Sequence, residues 1–397
     1  MLNRRTLRIK AMQSLYAWHR VRVSDYQVAE DHIRESFDPV LVAQDKDEAP
    51  DKALLKAQEK EAMELLKPAL EDKEFAFSEE VTAHVKGAVI RARNVYKEQL
   101  VKDLKFLKGQ MLLAADEIKH RYLLLVLLLV ELGKQNQQDY TDRQEKARRQ
   151  DQPATLPKLT FSQNKLLKRL AEHDDLQQQL AKYNLNWKDD LGEVRRWYRE
   201  QLRDEEYYKT YQALESPSFE EDRQILLDIT KHLVFKSEAI RTYMEDLDLN
   251  WEENAEVLRS MLRKTIKSVP EDEEEPFELI DLSPNWEEDR QFFEDLFDYT
   301  IEEDEFTDKV IAERAKNWEF DRIAATDKII LKMAVSEMLN FPSVPVKVTI
   351  NEYIEISKQY STPKSKQFVN GMLDVIAEHL TKEGTIRKSG RGLIDNK

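Results

Sequence analysis

Apolar residues along this chain recur at helical spacing almost everywhere, and the alternation that marks a strand is nearly absent. Over residues 4–20, Leu7, Ala11, Ser14/Leu15 and Trp18 fall at i, i+4, i+7 and i+11, which predicts an amphipathic helix with Arg4, Arg5, Arg8 and Lys10 off the stripe or at its edges. Residues 44–74 are charge-rich, with Pro50 and Pro68 as punctuation, and read as a solvated helix with loops at its ends. One or two long helices follow over 79–148. Their most apolar stretch, YLLLVLLLVEL at 122–132, reads as the buried stripe of a core helix. It is about half the ~20 residues that a membrane span needs. A proline-containing linker covers 149–158.

Beyond it the pattern repeats. EEDRQ begins at 220 and again at 287, and Asn-Trp stands at 250 and again at 317, the same step of 67 residues. An earlier Asn-Trp at 186–187 starts a weaker copy. After Trp187 apolar residues stand at Leu191, Val194, Trp197, Tyr198 and Leu202, and after Trp251 the same offsets hold Ala255, Leu258, Met261, Leu262 and Ile266. Acids after each Asn-Trp suit a helix N-terminus. These marks imply related helix pairs. An acidic, proline-bounded linker at 268–284 leads to a last compact region, 286–380, with helices expected at 287–315, 320–340, 347–360 and 364–380. Thr362 is placed to cap the last of these, with Pro363 at its first position. The basic, glycine-containing tail 381–397 reads as mobile.

Composition agrees with an all-α class: 35% of the chain is charged, and there are only 8 Gly and 12 Pro in 397 residues. No cysteine is present. That excludes disulfides, cysteine-ligated zinc and thiol nucleophiles, and fits a reducing cytoplasm. Seven histidines are scattered without metal-ligand spacing, and no metal, phosphate-loop or dinucleotide motif occurs. The expectation is a protein that is not an enzyme and uses no cofactor.

The charge distribution is less even than the total. The net charge is −15, yet Met1–Ser24 carries six cations (Arg4, Arg5, Arg8, Lys10, Arg20, Arg22) and no acid. A basic first turn opposes the helix dipole, a local cost that an anionic ligand would offset.

Three blocks carry a family resemblance: RRTLRIKAMQSLYAW in the first helix, NWEFDRIAATDKIILKMAVSEML at 317–339, and VPVKVTINEYIEISKQYSTPKSKQFVNGMLD at 344–374. Together they resemble the bacterial transcription antitermination factor NusB family, over about 115 residues in 1–20 and 286–380. The resemblance implies an all-α fold of two small helical bundles. It also implies binding of boxA, a short single-stranded RNA element of ribosomal RNA leaders, together with the small-subunit ribosomal protein NusE, in a complex with RNA polymerase and other Nus factors. It further implies RNA contacts for Arg4, Arg5, Arg8, Tyr16, Asp327, Lys332 and Phe368. Lys328, Lys364, Lys366 and Asn370 join them as neighbours, cations at a helix start and a polar break in a helix. Gly371 is read as structural, and Glu352 and Glu355 are candidates for the basic ribosomal partner. Many members carry an acid where this chain has Lys364, so lysine should strengthen phosphate contact. The chain departs from the family in length: roughly 265 residues separate the first helix from the C-terminal region. This reads as a helical insertion in two parts, 21–148 and a repeat-like 159–267. A helical scaffold for ribosome biogenesis that has lost RNA binding is the competing expectation. NusB-like domains also precede rRNA cytosine methyltransferases, but the cysteines such enzymes need are absent.

Overall fold

In the computed structural model, residues 2–44, 51–72, 74–151, 156–315 and 323–396 are described, and among them there are helices and no strands. In chain order the helices are α1 (Arg4–Ser36), α2 (Pro39–Gln44), α3 (Lys52–Glu71), α4 (Ala83–Gln150), α5 (Lys165–Ala171), α6 (Asp174–Lys182), α7 (Leu191–Trp197), α8 (Glu206–Ala213), α9 (Phe219–Ile229), α10 (Glu238–Leu247), α11 (Trp251–Ser268), α12 (Trp286–Glu302), α13 (Asp304–Arg314), α14 (Ala325–Asn340), α15 (Val346–Tyr360) and α16 (Ser365–Lys382). The chain divides into two compact units, one of Met1–Arg4 with Ala114–Arg290, the other of Arg5–Leu113 with Gln291–Lys397.

In the second of these units, α14 is the central helix. Ile330, Leu331, Met333, Ala334, Val335, Ser336, Glu337 and Met338 are all buried, and water reaches it only at the ends and along Lys328 and Lys332. Helices α13, α15 and α16 pack on it. Of the stripe predicted on the first helix, Leu7, Ala11 and Leu15 are buried, but Trp18, its fourth member, is partly exposed and lines a groove. It continues past residue 20, because Asp25, Ala29 and Ile33 extend the same four-residue step and α1 therefore runs to Ser36. Ala29, Ile33 and Phe37 join Leu55, Ala62 and Leu66 of α3 and Val85, Ala88, Val89 and Ala92 of α4 in one apolar cluster. Residues 21–113, taken from the sequence as insertion, thus fall in the same unit as the C-terminal helices. The single helix expected at 287–315 breaks at Glu303, where Asn340 Nδ2 donates to the Glu303 carboxylate at 2.8 Å and Asp304 opens α13. The last helix starts at Ser365, not at 363. Thr362 is not its cap; its hydroxyl meets the Ser365 hydroxyl at 2.8 Å. The tail expected to be mobile is docked. Ile386 is buried, Ser389 N donates to Pro342 O at 3.0 Å, Lys388 Nζ donates to Phe341 O at 3.0 Å, and a 3-10 turn spans Gly390–Asn396.

The other unit is built on the apolar run of α4. Residues 122–130 are buried, and Tyr122 OH lies 2.5 Å from Thr265 Oγ1 of α11. No described helix is long and apolar enough to cross a membrane. The repeat shows in burial more than in helix geometry. Trp187 and Trp251 are both buried, as are Val194, Trp197, Tyr198 and Leu202 after the first and Leu258, Met261, Leu262 and Ile266 after the second. Yet α7 gives way to a π turn at Tyr198–Leu202, whereas α11 is continuous. The third acid of the two EEDRQ segments is engaged in both copies, differently. Asp222 is buried, accepting from Lys165 N at 2.9 Å and Tyr211 OH at 2.6 Å, and Asp289 pairs with Arg4 at 2.9 Å. The Asn-Trp at 317–318 lies outside the described residues. The segment 268–284 is strapped down: Arg169 donates to the carbonyls of Pro270, Asp272 and Glu275, and His173 Nε2 lies 2.9 Å from Phe277 O.

Candidate nucleic-acid interface

The N-terminal arginines have three different environments. Arg4, grouped with the unit of α4's apolar run, is held by Glu288 at 2.6 Å and Asp289 at 2.9 Å. Arg5 is on the surface, with its side chain 46% exposed, and forms a bidentate pair with Glu352 at 2.7 and 2.8 Å. Arg8 is 3% exposed. Its guanidinium is bidentate to Glu337, both bonds 2.7 Å, and lies over the rings of Phe292 and Tyr353. Glu337 also accepts from Thr349 Oγ1 at 2.8 Å and Tyr353 OH at 3.1 Å. Burial works against the Arg8 charge, but Glu337 outweighs it and holds the guanidinium protonated. Burial, then Glu337, pushes the Tyr353 phenol well up. This corrects the sequence reading of Arg8 as an RNA contact: its fork is used up in the core, where a charge persists only when paired and hydrogen-bonded.

Asp327 is also corrected. It is 5% exposed and accepts from Ser365 Oγ at 2.7 Å, while Ser365 is met by the hydroxyls of Ser361 and Thr362. The carboxylate is a tether between helix starts rather than a surface acceptor. It ties the start of α16, with Lys364 and Lys366 exposed, to the start of α14, with Lys328 half-buried. Phe368 is half-buried one turn into α16, and Asn370 is exposed, donating to Asp374 at 3.2 Å. Lys332 is paired with Asp304 and, at 2.8 Å, with Asp308, so its charge is spent within the protein. Tyr16 is 41% exposed. Glu352 is engaged by Arg5, which changes its candidacy as a partner contact. Glu355 is exposed and its carboxyl is held below the usual range by Lys358 first, then by the fields of Arg5 and Lys366.

Glu337 carried a signal that the sequence reading missed: a lone acid in the apolar run AVSEML. Its partner, 329 residues away, carried none. The aromatic groove around Trp18, Tyr26 and Tyr96 was also missed, since its walls come from separate helices. Among the described residues no cluster of metal-ligating side chains occurs.

What remains exposed at the start of α16 is Lys364 and Lys366, with Phe368 half-buried beside them, and Tyr16 is exposed on α1. The NusB family profile matches residues 259–378. Three proteins named transcription antitermination protein NusB align with the chain: that of Salinibacter ruber is 50% identical over 105 residues, 26% of this chain and 66% of its own length. That of Chloroherpeton thalassium is 44% identical over 106 residues, 27% and 50% of the two lengths, and that of Koribacter versatilis 43% over 97, 24% and 66%. This chain belongs to the NusB family, as a long form whose match to these relatives spans about half to two thirds of their length. No solved structure matches it. The relatives' shared name specifies no catalytic activity.

Proposed function

We propose that this chain is a cytoplasmic, non-catalytic RNA-binding transcription antitermination factor. It binds boxA-type single-stranded RNA of ribosomal RNA leaders together with the ribosomal protein NusE, and acts with RNA polymerase and other Nus factors. The observation that carries this reading is the Asp327–Ser365 tether, which sets Lys364, Lys366 and Phe368 at one helix start against Lys328 at another. Cations beside a partly exposed ring suit a strand whose bases stack and whose phosphates need neutralising. Tyr16 offers a second ring, and Arg5 a guanidinium that fits a phosphate bidentately once Glu352 releases it. Such an exchange replaces one charge-assisted pair with another, and counterion release adds to it.

A scaffold without RNA binding is favoured by one specific observation: Arg4, Arg5 and Arg8 all hold carboxylates in the free protein. Fluorescence anisotropy of a labelled boxA-type RNA, titrated with the protein alone and with NusE, separates the two. The adaptor tightens with NusE and loses affinity in Phe368→Ala. A chain that holds NusE but no RNA under either condition is the scaffold.

A further inference from the structure

A groove of about 590 Å³ lies in the unit that holds α14, between residues 15–30 of α1, α4, the end of α12, α13 and α14. Its volume falls in the roughly 300–1,000 Å³ range of small-molecule sites. Trp18 and Tyr26 of α1 and Tyr96 of α4 supply aromatic surface, all three partly exposed, with Tyr26 and Tyr96 edge to face at 6.5 Å. Both tyrosines are packed against the apolar cluster of α1, α3 and α4, which fixes that wall. An ionic ladder runs from that aromatic surface across the groove: Arg22 of α1 bonds Tyr96 and meets Asp304 at 2.8 Å, and Lys332 bridges Asp304 to Asp308. Burial, then Arg22, Lys332, Arg20 and Lys328, lower the proton affinity of His19 at the mouth, where Arg20 is exposed and Lys328 half-buried. Asp304 stays ionised, since Lys332 and Arg22 outweigh its burial.

We propose that this groove is a nucleobase site, which accepts one base of the RNA beyond the boxA core with its phosphate at the cationic mouth. The inference rests on the RNA-binding reading above and extends it to Tyr26 and Tyr96, which lie outside the family match. Three rings give a flat heterocycle faces to stack on, and the ladder gives fixed donors and acceptors for its edge. An apolar or aromatic peptide side chain would leave the cationic mouth unused, and a carboxylate would leave the rings without a stacking partner. The mouth adjoins candidate residues already named: His19 lies about one turn along α1 from Tyr16, and Lys328 is part of the lining.

The test is anisotropy with two labelled RNAs, the boxA core alone and the core extended at both ends, against the full-length protein and its Tyr96→Leu, Trp18→Leu and Tyr96→Phe variants. Wild type should bind the extended RNA more tightly than the core. Tyr96→Leu and Trp18→Leu should lower affinity for the extended RNA by about 5- to 160-fold, the scale of one lost stack, and leave the core unchanged. Tyr96→Phe keeps the ring, losing only the hydroxyl that bonds Arg22, and should keep the preference for the extended RNA, while unchanged core affinity in the leucine variants excludes a folding defect. Equal affinity of wild type and both leucine variants for the extended RNA overturns the proposal. So does loss of NusE capture in Tyr96→Leu with RNA affinity unchanged, which would give the groove to a protein. If wild type binds neither RNA, the RNA-binding reading itself fails.

Discussion

Two arginines three residues apart on one helix do opposite things. Arg8 and Glu337 are buried with every neighbour committed, and Arg5 and Glu352 form a similar fork at the surface. The geometry is nearly the same, and the surroundings decide the consequence. In the core the pair is screened from water and completed by Thr349 and Tyr353, so removing one member strands a charge. At the surface water competes for both groups and the pair contributes little. Only the second pair can be exchanged for a ligand at modest cost. A basic motif on a helix therefore does not define a binding surface until burial has sorted its members.

The largest effect should come from the buried pair. Arg8→Met leaves the buried Glu337 without its cation, with only the Thr349 and Tyr353 hydroxyls to hold it, and urea unfolding should show a loss of about 3–5 kcal/mol. Full stability in that variant would mean the core does not depend on the pair. Next is Ser365→Ala, which leaves the Asp327 carboxylate buried without its donor and should cost about 1–3 kcal/mol. It should also loosen the start of α16, visible as faster amide exchange there, with weaker RNA binding as the consequence.

A smaller, local effect is expected at the tail. A Cβ at Gly392 would sit 2.0 Å from Pro342 O. Gly392→Ala should therefore detach residues after 386 and make them cleavable by protease, with the melting of α14–α16 little changed. The same segment should respond to pH. Burial lowers the Lys388 ammonium to about 8 from 10.5. A lysine whose folded value is depressed penalises docking while it is protonated, and the penalty fades as pH rises through the folded value. Amide protection of the tail, corrected for intrinsic exchange, should thus increase between about pH 7 and pH 9. Falling protection over that range would reverse the sign and refute the account of Lys388.

Much of the helical pattern was legible because it is local. The Leu7–Ala11–Leu15 stripe and the apolar run at 122–132 both bury as their spacing requires. Burial after Trp187 and Trp251 follows the shared offsets, but the π turn in one copy left no mark in the sequence. The site was less legible. Asp327 stands beside Thr326 and Lys328 and reads as solvated, and only the arrival of Ser365, 38 residues on, covers it. Arg8 looks like its neighbours Arg4 and Arg5 until a distant acid claims it. Gly392 and Ile386 gave no periodic signal, so the tail read as loose.

The central claim is that Arg5, not Arg8, is the arginine exchanged between carboxylate and RNA. The most direct measurement is the salt dependence of boxA-type RNA affinity, in the presence of NusE, for wild type and Arg5→Ala. Loss of one phosphate contact should weaken binding and reduce the slope of log affinity against log salt by about 0.7, the single-strand value per contact. Thermal stability should change by no more than about 1 kcal/mol, as for a surface pair. An unchanged slope and affinity in Arg5→Ala would contradict the account and leave Arg5 a partner of Glu352 alone.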